Sequence, residues 1–194
     1  MKAGVPAAAR SAADARAALP VWLSAPARWL ARINDAMAVL GMLALLAASV
    51  ILSWSVVSRY FLKASTDWQD EAAVFCLVGA TFLCGAFVQA LRGHIGIEAV
   101  AGLLPAALER VRLLLVDVLG LAFCAFFAWK SWTLFHEALV EHQTTSSSWA
   151  PPLSIPYGLM ALGMSLLSLQ LLLQCVARVN GLGRAKAVTP HNMT

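Results

Sequence analysis

Charge is what this sequence has least of. Only 12% of its 194 residues are Asp, Glu, Lys or Arg, against about 25% in an ordinary soluble domain. That is too few to coat a water-facing surface, and it excludes a soluble globular enzyme. Three runs, Ala36–Val57, Ala72–Leu91 and Leu153–Ala177, hold no charged side chain, and a fourth, Leu113–Trp129, holds only Asp117. Cysteine is sparse as well. Cys76, Cys84, Cys124 and Cys175 lie singly inside apolar runs with no CxxC spacing, which argues against a disulfide framework or zinc site and for small packing residues. The histidines are His94, His136, His142 and His191, none in the middle of a run, so the facing axial ligands of a four-helix haem protein are missing. His136 and His142 are too few for a convincing metal site. No glycine-rich phosphate loop is present, and no catalytic constellation or cofactor requirement emerges.

What is abundant is apolar sequence, 60% of the chain. A helix crosses the bilayer core in about 20 apolar residues, so the four runs imply an all-α integral membrane protein with four transmembrane helices. The net charge of +4 could suggest a nucleic acid, but the basic residues flank the runs. Lys2, Arg10, Arg16, Arg28 and Arg32 precede the first. Arg92, Arg110 and Arg112 separate the second and third, and Arg178, Arg184 and Lys186 follow the fourth. Only Arg59, Lys63 and Lys130 fall on the other side. Positive-inside logic then places both termini in the cytoplasm, and no nucleic-acid partner is called for.

The expected organisation is a flexible cytoplasmic tail over 1–20, an interfacial segment over 21–35, a four-helix transmembrane domain over 36–178 and a second tail over 179–194. Trp22, Trp29, Leu30 and Ile33 alternate with Arg28 and Arg32, which fits either an amphipathic helix in the headgroup layer or a lead-in to the first span. The connection Arg92–Arg112 carries apolar residues at spacings of three and four. It fits one or two short surface helices, broken or restarted at Pro105. Trp68, Trp129, Trp132, Trp149 and Tyr157 fall at one expected depth, as an outer aromatic belt should.

Several residues invite a functional reading beside a plainer one. Thr66, Asp67, Gln69, Asp70 and Glu71 gather where the second span begins, as capping residues at the positive end of a helix do. Glu71 is also placed to meet a basic group, either Arg59 or one on a partner. On the second span Ala72, Cys76, Gly79, Ala80, Ala86 and Ala90 share one side, interrupted by Leu83 and Phe87. Small residues let helices approach closely in lipid, so this is the span expected to pack most tightly, within the chain or against another. Asp117 is the one ionisable group well inside a run. An intramembrane acid suggests function, but its nearness to Arg110 and Arg112 favours a structural or subunit contact. Gln170 and Gln174 share a face of the fourth span and suit interhelical hydrogen bonds. Repeated halves, broken spans and a polar midplane, the marks of a secondary transporter, are lacking; the chain reads as a helper in a membrane complex.

The stretch Arg59-Tyr60-Phe61-Leu62, then Ser65, then Trp68-Gln69-Asp70-Glu71 resembles the RY-F…S…W-x-[DE]-E signature of the small membrane (DctQ-type) subunit of tripartite ATP-independent periplasmic (TRAP) transporters. The resemblance continues through Gly79-Ala80, Arg92, His94-Ile95, Leu104-Pro105 and Arg110, and resumes at Pro152-Leu153, Ile155-Pro156 and Tyr157. It covers roughly residues 33–178 and departs mildly at Ile97-Glu98. It implies a scaffold subunit of the bacterial inner membrane, packed beside a large (M-type) membrane subunit that carries the transport sites. A periplasmic substrate-binding protein would deliver an organic acid, and an ion gradient would drive uptake. Arg59, Trp68 and Glu71 would be the family-type residues near the outer surface and His94 their counterpart at the inner one. Two other classes stay open: the membrane anchor of a redox (haem or quinone) complex, and a self-contained small transporter or channel.

Overall fold

The computed structural model describes residues 21–63, 66–91 and 106–179. They form four long helices: α1 (Val21–Val57), α2 (Asp67–Leu91), α3 (Ala106–Val140) and α4 (Ser154–Val179). Each contains a stretch long and apolar enough to cross a membrane. Among the described residues β pairing is limited to one bridge, Thr144 with Pro152.

Residues 21–35 are not set apart from the first span. They are the opening turns of α1, which runs on through Pro26 without a break. Proline removes one backbone donor and clashes with the preceding turn, and so near a helix start few intrahelical bonds are lost. Residues 106–112 likewise belong to α3, which begins directly after Pro105. The expected interfacial helices are therefore not separate elements among the described residues. The stretch 92–105 with His94, and the two tails 1–20 and 180–194, lie outside them.

The helices pack as two antiparallel hairpins, α1 with α2 and α3 with α4, joined by α2 against α4. Among the described residues α3 has α4 as its one extensive neighbour, and α1 touches α4 only slightly. The result is a layer in the order α1, α2, α4, α3 rather than a closed bundle. One rim carries the two hairpin tips, described over residues 58–63 with 66–68 and over 141–153, and the opposite rim the start of α1 and the end of α4.

Helices α2 and α4 share the middle of this layer, and small residues on α2 show how it fits there. Ala73 and Ala86 are 1% and 0% exposed, and Gly79 is buried. On α4, a Cβ at Gly163 would overlap the backbone carbonyl of Phe82. On α1, one at Gly41 would overlap the Cys84 sulfur. Glycine at these two positions lets α2 lie close to both neighbours. Leu83, which seemed to interrupt the small stripe in the sequence, is itself buried within it, while Val74 on the far side is exposed. Cys124 and Ala128 of α3 pack with Met164 and Leu171 of α4, and Phe82 of α2 closes that cluster.

Candidate functional site

Polar side chains gather at two places, one near each rim. At the tip of the first hairpin, α1 ends in a π-helical turn, Ser58–Leu62, and the chain then reverses through Lys63 at φ 50°. A π turn packs an extra residue into the helix and is frequent at functional positions. Here it sends Arg59 toward α2. The guanidinium donates through Nη2 to Thr66 Oγ1 at 2.7 Å and to Asp70 Oδ2 at 2.9 Å, while Nε reaches Thr66 Oγ1 at 3.3 Å. Ser55 Oγ donates to the other oxygen of Asp70 at 3.2 Å. Thr66 and Ser55 are buried, whereas the Arg59–Asp70 pair is half exposed. Exposed pairs contribute below about 1 kcal/mol, so the clamp orients the hairpin more than it stabilises it.

The ion pair is made by Asp70 and not by Glu71. Successive helix residues are turned by about 100°: the register that presents Asp70 to α1 turns Glu71 away. Glu71 is partly buried, and its Oε2 has no hydrogen-bond partner among the described residues. Thr66 also differs from a side-chain cap. Its carbonyl accepts from the Gln69 and Asp70 amides, at 3.0 and 3.2 Å, while its hydroxyl serves Arg59. Trp68 meets Trp149 edge to face, with centroids 6.4 Å apart, so the two hairpin tips touch through their tryptophans. Tyr60, Phe61 and Leu62 project outward and are largely exposed.

Two shallow, open depressions lie along the part of α1 nearer the hairpin tip. One, of about 470 Å³, lies between Leu52, Ser55, Val56, Arg59, Tyr60 and Asp70. The other, of about 400 Å³, is bounded by Ser49, Val50, Ser53, Trp54 and Val57. The hydroxyls of Ser49 and Ser53 donate to the carbonyls one turn back, Leu45 at 3.0 Å and Ser49 at 2.8 Å. The two hydroxyls are thus satisfied within the helix, beside the exposed Val50, Trp54 and Val57.

Nearer the other rim the two hairpins are linked by amides. Asn34 Nδ2 donates to Gln170 Oε1 at 3.1 Å, and Gln89 Nε2 to Gln174 Oε1 at 3.0 Å. Gln174 Nε2 donates in turn to the Gln89 carbonyl at 3.1 Å. The sequence singled out Gln170 and Gln174 but not their partners. Asn34 lies just outside an apolar run and Gln89 inside one, where an amide is itself the signal. Asp117 is half-buried on α3 and engaged by a neighbour, remote from the clamp. Gly79 and Ala86 are interior packing positions. The structure thus brings Arg59 and Trp68 to the hairpin tips, leaves Glu71 beside them on another face, and places Asp117, Gly79 and Ala86 elsewhere. Among the described residues no group of three or more His, Cys, Asp or Glu side chains could hold a metal.

A family model described as the DctQ component of tripartite ATP-independent periplasmic transporters matches residues 48–181. The match takes in the last ten residues of α1, the clamp, and the remaining three helices. No curated protein matches the chain significantly.

Proposed function

The chain belongs to the DctQ family of TRAP-transporter components, and from that premise we propose that it is the small scaffold subunit of a secondary transporter in the bacterial inner membrane. A large M-type subunit carries the transport sites, a periplasmic protein delivers an organic acid, and an ion gradient drives uptake. The observation that carries this reading is the open layer of helices. Each apolar window is no more than 28% buried within the chain. Four spans so little covered by one another give a wide face to pack beside a larger membrane protein.

Within that face, α1 is the side that receives the large subunit. In lipid, helices associate through close packing at small residues rather than through hydrophobicity, and the exposed Ser49 and Ser53 beside a groove provide such a surface. Glu71 adds a polar contact: its carboxylate meets a basic group of the large subunit, Arg59 being committed to Asp70. The clamp rim faces the periplasm and both termini the cytoplasm, as the flanking basic residues favour. An impermeant thiol reagent should therefore label a cysteine at position 146, not one at position 190, in intact cells.

The decisive experiment is reconstitution in liposomes under a sodium gradient. Uptake of an organic acid is expected only when this chain, the large subunit and the periplasmic protein are all present. Uptake by this chain alone would overturn the scaffold reading.

A further inference from the structure

The two hairpins meet along α2 and α4 on surfaces that are small and smooth: Gly79 faces Leu159, Gly85 faces Leu167 and Gly163 faces the Phe82 backbone. Apolar contacts of this kind permit close approach without naming one alignment. The amides are different. Gln170 and Gln174 stand one turn apart on α4; the first takes Asn34 from α1 and the second takes Gln89 from α2. A slide of α4 by one turn would bring Gln174 opposite Asn34, or Gln170 opposite Gln89, so one pairing could re-form while the other two amides would lose their partners against apolar helix surface. We infer that this amide seam sets the register in which the second hairpin docks on the first, and that it contributes alignment rather than stability.

The state of Asn34 supports the distinction. It is 1% exposed, and its Oδ1 has no hydrogen-bond partner among the described residues. Exchanging its amide oxygen and nitrogen would leave the other half of the amide unmatched. A group buried with half its hydrogen-bonding capacity unmet is a poor source of stability, whereas single buried amides are known devices for fixing helix register. The seam also ties α1 to α4, which otherwise barely touch.

The test separates register from stability in the full chain, with the four native cysteines replaced by alanine. Gly85→Cys with Leu167→Cys reports the observed register, and Thr81→Cys with Leu167→Cys reports a slip of one turn. With the amides intact, only the first pair should cross-link efficiently. In the shape-matched variant Asn34→Leu, Gln89→Met, Gln170→Met, Gln174→Met, the slipped pair should rise to at least one-third of the in-register yield. If it stays below that, the Gly163 notch sets the register and the inference fails. Folded yield gives an independent reading. Gln170→Met alone leaves Asn34 without its partner and should lower the yield more than Asn34→Leu with Gln170→Met together. A double variant as poor as the single, or a fourfold variant that does not fold, would make the seam a source of stability and overturn the inference.

Discussion

The two hairpins are built alike and finished differently. Each pairs a helix of 35 or more residues with one of about 25, and in each the long member lies at the edge of the layer. The exposed side of α3 carries Val111, Leu115, Val118, Leu119, Phe123 and Phe126, with the smaller Ala122 and Ala125 among them. The corresponding face of α1 is broken by Ser49 and Ser53, hollowed by two grooves, and closed at its tip by an ion pair. In the proposed assembly the α1 edge would meet the large subunit and the α3 edge the lipid.

The sharpest way to break this comparison is at Glu71, on the first hairpin. Glu71→Gln keeps the shape and removes the charge. If a cation of the large subunit meets this carboxylate away from water, assembly should weaken by about 3–5 kcal/mol, read as lost co-purification and lost uptake. Unchanged assembly would reduce Glu71 to a helix-end residue.

A paired substitution comes next in size. Ser53→Phe fills the α1 groove and should weaken binding of the large subunit by about 1–3 kcal/mol through overpacking, while this chain alone folds as before. Ala122→Phe makes the same kind of enlargement on the exposed side of α3 and should change folding and assembly by no more than about 0.5 kcal/mol. Quantitative pull-down of the large subunit reads both, and equal losses would erase the distinction between the edges.

Asp70→Asn is the mildest. It deletes the ion pair yet leaves a side chain able to accept from Ser55, so thermal unfolding in detergent should register a loss below about 1 kcal/mol. A larger loss would mean that the clamp is drier than its half-exposed geometry indicates.

Much of this was legible in the residues themselves. Runs free of charge mark the four helices because bilayer thickness fixes a length that no charge can interrupt cheaply. The small stripe on α2 marks a helix that lies inside the layer, but α4 is the more enclosed of the two, its apolar window 28% buried against 22%. Which acid Arg59 would choose was not legible, since the answer depends on how a π turn rotates one helix end against another. The partners of Gln170 and Gln174 were hidden for a similar reason: they come from two different helices, and only the order of the layer brings both to α4. At residues 21–35 the structure takes the lead-in of the two readings, and residues 106–112 open α3 directly after Pro105. Amphipathic composition suits a surface helix and the end of a long spanning one equally well.

The layer has one more consequence, in its dimensions. At 1.5 Å per residue α1 is about 55 Å long and α2 and α4 nearly 40 Å, against a hydrocarbon thickness of about 30 Å. Their charge-free runs, 22 residues in α1 and 20 in α2, span about 33 and 30 Å and match that thickness, so the extra length of α1 extends past the hydrocarbon. Joined side by side through Gly41, Gly163 and the amides, α1, α2 and α4 are braced against one another, so in a thinner membrane they would have to tilt together rather than one span at a time.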